Sequence, residues 1–335
     1  MTIAIALRQL IFCVIICLSS YSVMSANFHE YNISTIHEQW MYQYQRSYAN
    51  DAEKEKRLKM FEEKFYYIKE FNNFANKSYK LGLNKFSDLT MDEVIASYTG
   101  IKAGLNDSGQ ISFSSNIVPA RIIHLPVQVD WRLEAAVNNV RWQGPCGVSW
   151  AFAGLDAVES FIKIKTGNRV SLSVQNLVDC AATGCKGGHV IDTYKYIIKA
   201  NGIADEASYP YKEADGTCQH AKNLSTQIKG YKTVPPNDEK QLRVAVLDQP
   251  VAAHIAVSAE FIAYKKGIFE GPCGTDLVHA VTIVGYGVDE DGKEYWLIKN
   301  SWGEKWGEDG YMRLLRGVKD KRGLCGIAMW PTYPE

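Results

Sequence analysis

The stretch from Gln143 to Gly154, QGPCGVSWAFAG, constrains the chain more than any other. A Gln, a Cys and two glycines stand just ahead of an apolar, Ala-rich run that reads as the start of a helix. Ser149 heads that run, where a nucleophile would be presented at the positive end of a helix dipole. Two later stretches hold residues able to serve such a group: His279 in VHAVTIVGYG and Asn300 in IKNSWG. A lone His in a Val-rich strand is ordinarily a satisfied core residue, so His279 gains meaning only from its companions.

Composition narrows the class. The chain has 335 residues, 46% apolar and 22% charged, enough to bury a large core. Its formal net charge is zero and it has no basic run of five residues, so no nucleic-acid or membrane partner is expected, and a monomer is the expected state. Arg8, the apolar run Leu10 to Leu18 and the small residues through Ser25 and Ala26 have the order of a secretory signal, too short to span a bilayer. Cleavage there would leave Cys146, Cys180, Cys185, Cys218, Cys273 and Cys325. An even number in a secreted chain argues for disulfides, and spacing alone leaves 15 connectivities open. No C-x-x-C or Cys/His pair has ligand spacing, so neither metal nor cofactor is expected.

Taken in order, residues 27–124 are polar, aromatic-rich and free of Cys. From Glu53 to Asn72, Leu58, Phe61, Phe65 and Ile68 fall on one stripe of a helix. Residues 101–122 read as a linker. Beyond them, Ser149 to about Lys165 predicts a helix ended by Gly167, and Asp192 to Ala200 another ended by Gly202. Val251–Val257, His279–Gly285, Tyr295–Asn300 and Tyr311–Leu315 read as strands. A helical half followed by a strand-rich half predicts an α+β fold with a cleft between the halves.

These stretches resemble the papain family of cysteine peptidases, whose motif runs Q-G-x-C-G-S-C-W, and GPCGTDLVHAVTIVGYG and CGIAMWP look most like its bromelain and ananain group. Glu53, Arg57, Phe61, Ile68 and Asn72 match a signature of the family's propeptides, from which Lys64 departs where an Asn is usual. A second propeptide motif, G-x-N-x-F-x-D, is complete as Gly82, Asn84, Phe86 and Asp88. With the signal peptide read as 1–26, the resemblance implies an inhibitory helical propeptide at 27–124 whose tail blocks the cleft, and a peptidase domain at 125–335, starting at LPVQVDWR. That domain would have a helical half facing a β-barrel-like half. The implied disulfides are Cys146–Cys185, Cys180–Cys218 and Cys273–Cys325.

The resemblance also implies roles. Gln143 and the Ser149 backbone N–H would form the oxyanion hole, His279 would be the general base, and Asn300 would orient it under the shield of Trp302. Gly187 and Gly188 would pair with an extended substrate. His189 stands where an aromatic residue is usual, Val278 where Asp or Asn is common, and His254 and Trp330 where the second specificity pocket is lined. Sequons at Asn32, Asn76, Asn106 and Asn223 would place any glycans at the surface.

One residue breaks the pattern: the family's nucleophilic Cys is Ser149 here. A thiol near pKa 8.5 falls lower beside a protonated His, whereas a hydroxyl stays un-ionised and needs true general-base help. The expectation is a secreted, vacuolar or lysosomal peptidase homologue with absent or strongly reduced proteolysis. It would still bind extended peptides, protein partners and its own propeptide. The alternatives are a serine-type peptidase working through Ser149, and a storage or defence protein using only the scaffold.

Overall fold

A computed structural model describes residues 31–74, 76–101, 124–181, 184–219, 224 and 226–335. The expected signal segment with Cys13 and Cys17, most of the linker, and the sequons at Asn106 and Asn223 lie outside them. The chain forms two compact units, residues 1–58 and 59–335.

The described part of the first unit holds helix α1 (Ile33–Tyr44) and the start of α2 (Asp51–Asn73). Asn32 caps α1 by accepting from the Thr35 amide at 3.1 Å, satisfying one of the helix's orphan donors. His37 stacks on Trp40 and bonds Tyr48, so the face is aromatic rather than aliphatic. Glu53 and Arg57, two of the propeptide-signature residues, pair at 2.5 Å one turn apart on α2.

In the second unit, α2 buries Phe61, Ile68 and Phe71, and the Phe65 of the same stripe is only partly covered. Asn72 does the work of a strand neighbour: its amide donates to Leu81 O and accepts from Leu81 N, which anchors β1 (Tyr79–Leu81). Lys64, the departure from the motif, has a structural use. Its ammonium donates to the Phe86 carbonyl at 2.7 Å and to that of Leu89, tying α2 to the G-x-N-x-F-x-D turn. Thr90 and Glu93 form a capping box at the start of α3 (Met91–Tyr98).

After β2 (Val129–Asp130) comes α4 (Ser149–Thr166), the helix expected from Ser149 onward. Its first twelve residues are all buried, as the near-continuous apolar run requires, and Gly167 ends it in the left-handed region. Helices α5 (Val174–Cys180) and α6 (Val190–Ala200) pack beside it. Helix α6 ends at Ala200 as expected, but Asn201 rather than Gly202 takes the left-handed cap.

The remaining chain adds β3 (Tyr231–Thr233), α7 (Glu239–Asp248), β4 (Val251–Ile255), α8 (Ala259–Ile262), β5 (Tyr264–Phe269), β6 (His279–Val288), β7 (Glu294–Lys299), β8 (Tyr311–Leu315) and β9 (Thr332–Pro334). Periodicity missed β5 and α7, whose apolar residues are interrupted by charges.

The strands run β1-β5-β8-β7-β6-β4-β9-β3, with β2 also on β6. This path has two ends, so the sheet is not the closed barrel that the word barrel-like suggested. Strand β1, from the N-terminal segment, and β3 form the two ends and do not pair with each other. All pairings between these named strands are antiparallel except β5 with β8.

There are two cores. One surrounds Trp150, Leu155, Leu177, Tyr194 and Ile197 in the helical half. The other surrounds Val281, Ile283, Trp296, Ile298 and Met312 and takes in Ile68, Phe71, Tyr79 and Phe86 from the N-terminal segment. The fold is therefore mixed α+β, with α4 and β6 meeting where the two halves join. Replacing Lys64 by Met should leave the Phe86 and Leu89 carbonyls without their charged donor and lower stability by about 1–3 kcal/mol, read by urea unfolding of the full chain.

Candidate active site

The site lies where α4 and β6 both begin. The Ser149 amide donates to Thr99 O at 3.2 Å, and Ser149 Oγ accepts from the Ala280 amide at 3.1 Å. Strand β6 starts with His279, so the Ala280 contact puts the serine beside the imidazole's own strand. His279 Nε2 lies 2.8 Å from Asn300 Oδ1, which also accepts from the Ser301 amide at 2.8 Å. With that oxygen as acceptor, Nε2 must donate, and the neutral ring leaves its lone pair on Nδ1. Nδ1 has no hydrogen-bond partner among the described residues, and no bond joins it to Ser149 Oγ. The Trp302 ring lies 4.6 Å from the imidazole and seals it from water.

Gln143 is wholly buried and its amide orientation is determined by three contacts. Oε1 accepts from Ser301 Oγ at 2.6 Å, so Nε2 is left to donate to Thr99 O at 3.0 Å and Cys146 O at 2.9 Å. The backbone carbonyl of Gln143 is held by the Tyr211 hydroxyl at 2.5 Å. The Thr99 carbonyl thus sits between the Ser149 and Gln143 donors.

The N-terminal segment crosses the site at residues 99–101. Gly188 N donates to Gly100 O, Ile101 bridges Gly188 in parallel, and Gly100 N and Ile101 N both donate to Val278 O. Gly100 adopts φ +138°, and a Cβ there would lie 2.3 Å from Gly147 O, so only glycine passes this point. Gly188 is equally confined, since a Cβ would lie 2.8 Å from the Trp150 indole. Gly187 is buried beside it.

Beyond this edge, His189 and Trp330 rings flank His254 at 5.9 and 5.8 Å, and His254 Nε2 accepts from Val190 N at 3.4 Å. The resemblance put His254 and Trp330 at the lining of one pocket, and their rings do lie side by side.

The structure joins Cys146 to Cys185, Cys180 to Cys218 and Cys273 to Cys325. The first of these ties the loop ahead of Ser149 to the loop ahead of Gly187. Among the described residues no group of three or more His, Cys, Asp or Glu is arranged to hold a metal ion.

Sequence reasoning missed a buried charge cluster under the site. Lys299 and Arg141 both donate to Asp156 Oδ1, at 2.9 and 3.1 Å, and Arg141 lies 3.5 Å from Glu159. Burial raises the Glu159 carboxyl, opposed by the Arg141 charge. The available signal was two acids in an otherwise apolar helix, matched by two bases flanking Gln143 and Asn300. The Thr99 contact had no signal, because a backbone carbonyl has no residue type.

Comparison with known proteins gives the family. Residues 125–335 match the papain family cysteine protease model, and residues 37–94 match the cathepsin propeptide inhibitor domain. The chain belongs to the papain family of cysteine proteases and includes the family's propeptide domain. It is 46% identical to fruit bromelain and to ananain of Ananas comosus, in each case over 89% of this chain and 85% or 86% of the relative. Among solved structures it resembles a recombinant stem bromelain precursor, with TM-score 0.84, 43% identity, and coverage of 90% of this chain and 98% of that one. The digestive procathepsin L2 of Tenebrio molitor larval midgut gives TM-score 0.83 at 35% identity, with coverage of 90% and 99%.

Burial pushes the His279 imidazole down to about 4, partly offset by its bond to Asn300, and burial together with His189 pushes His254 to about 3. Unfolded, both rings would protonate near 6.5. Between those values the unfolded chain binds more protons, so this stability is full above pH 6.5 and is lost as pH falls toward 4. An NMR titration should find the His279 ring neutral at pH 5.5. The midpoint of urea unfolding should fall between pH 6.5 and 4, less steeply in His254→Asn.

Proposed function

We propose that this chain is a papain-family homologue that binds extended peptides in its cleft and has lost, or nearly lost, the family's proteolysis. The observation that carries the reading is the state of Ser149: its Oγ accepts from Ala280 N and has no bond to His279 Nδ1. Ser149 stands at the nucleophile position, with Gln143 and the Ser149 amide as oxyanion donors, His279 as base and Asn300 as its orienter. Gly187 and Gly188 offer the pairing edge, and His189, Val278 and Trp302 line it.

The chemistry follows from the atom at that position. A thiol gives up its proton to a neighbouring imidazole before attack, and the resulting ion pair is held by the helix N-terminus. A hydroxyl must transfer its proton during attack, which builds positive charge on His279. Asn300 is neutral and stabilises that charge less than a carboxylate would. Burial of His279 opposes the same charge. Loss of a nucleophile costs on the order of 10⁶ in kcat, or about 8 kcal/mol, in a dissected serine peptidase.

Binding is a separate matter, and its parts are intact. The N-terminal segment uses the Gly188 N–H, the Val278 carbonyl and the oxyanion donors, all backbone or amide groups that any extended peptide could engage. We assign the propeptide to 27–124 and the binding domain to 125–335. The N-terminal apolar run and the three disulfides support passage through the secretory pathway, to the extracellular space or a vacuolar or lysosomal compartment. A serine-type peptidase is the second reading, favoured by the His279 tautomer, which leaves Nδ1 free to accept a proton.

The test compares wild type, Ser149→Ala and Ser149→Cys on a fluorogenic peptide after the propeptide has been removed by an added peptidase. Wild type and Ser149→Ala should be equal within error, and Ser149→Cys should gain at least about 10³-fold. A wild-type rate well above that of Ser149→Ala would support the serine-type reading instead.

Maturation gives an independent check. The purified precursor held at acid pH should remain full length for hours, whereas Ser149→Cys should convert to a form beginning near Leu125. Mass spectrometry reads both outcomes.

A further inference from the structure

Position 85 is one of the open positions of G-x-N-x-F-x-D, so nothing in the motif requires a lysine there. The Lys85 ammonium lies 4.0 Å from the centroid of the Trp142 ring, well inside the range for attraction between a cation and an aromatic face. Phe86, the next residue, meets Trp302 edge-on at 5.0 Å, and Trp302 bridges Trp142 through the backbone. Tyr98 completes the enclosure, 5.8 Å from Trp142, with its carbonyl accepting from Trp302 Nε1 at 2.7 Å. Trp142 is only half-buried with this segment in place, and it directly precedes Gln143. The two indoles therefore form a surface beside the oxyanion donors, and a basic–aromatic pair from the chain itself lies on it.

We propose that Trp142 and Trp302 form a binding site for a basic side chain followed by an aromatic one. In the precursor, Lys85 and Phe86 fill it. Once that segment leaves, a Lys- or Arg-aromatic pair of a bound peptide takes its place, a selectivity that rests on the cleft-binding reading above. The Trp142 face supplies electrostatic attraction for the cation, and the edge of Phe86 against Trp302 shows the geometry open to the second ring.

Amide hydrogen exchange over residues 82–101 of the full chain tests the resident pair. Lys85→Met keeps the apolar stem and removes the charge, so it should speed exchange by roughly 2- to 30-fold, while Lys85→Arg should match wild type. Trp142→Leu should act like Lys85→Met, and the double variant no more than either alone. A wild-type result for Lys85→Met, or additive effects of the two changes, would overturn the proposal. The Lys85 variants alone suffice if Trp142→Leu does not fold.

Selectivity for added ligand is tested in the Lys85→Met chain with the blocked peptide Asn-Lys-Phe-Ser and its norleucine counterpart. The Lys peptide should loosen residues 82–101 at a concentration at least about fivefold lower. Equal action by both peptides would overturn the inference while leaving cleft binding intact. Inaction of both would also overturn it, and a longer extended peptide without Lys, run alongside, then shows whether cleft binding itself fails.

Discussion

Burial of helix α4 against strand β6 is the constraint from which the site follows. The helix exposes no residue over its first twelve positions, so it can exist only when enclosed, and β6 supplies a buried wall along its length. Thr282 Oγ1 donates to Ala153 O across that contact, one of the few polar links in it. Because Ser149 opens the helix and His279 opens the strand, packing the two elements brings the residues to one place. A shift of either element would separate them, and the two cores on either side resist such a shift.

The charges beneath the site belong to the same design. Asp156 and Glu159 lie on the buried helix, Lys299 precedes Asn300, and Arg141 lies two residues before Gln143. An isolated charge at this depth would be strongly disfavoured, and its removal would leave its partner uncompensated. The cluster therefore links three chain segments that bear on one small volume. It also explains how a helix so apolar in sequence tolerates two carboxylates.

The N-terminal segment treats the site as a surface to bind. It contributes an edge strand to the sheet, aromatic side chains to the strand-rich core and a carbonyl to the donors around Ser149. Tyr67 and Tyr79 both donate to the Glu260 carboxylate, a further tie between the segment and α8. None of these contacts needs a reactive nucleophile. All of them are made by backbone groups and by side chains other than the Ser149 hydroxyl.

Much of this was legible in advance. The long buried helix and four of the strands, β4, β6, β7 and β8, showed as periodicity or apolar runs, and motif spacing pointed to Gln143, Ser149, His279 and Asn300. Strand β5, with Lys265 and Lys266 exposed in mid-strand, and helix α7 were masked by charged residues facing solvent. The sheet's open path was hidden too, because it depends on which strand ends find partners. The amino-acid sequence by itself determined the residue types available to the site, above all the hydroxyl at position 149, since covalent identity needs no folding. Only the tertiary structure decided where that hydroxyl turns, which carbonyl lies between the amide donors, and that Lys85 rests on Trp142. Those are contacts between residues 44 to 131 positions apart, and no local pattern encodes them.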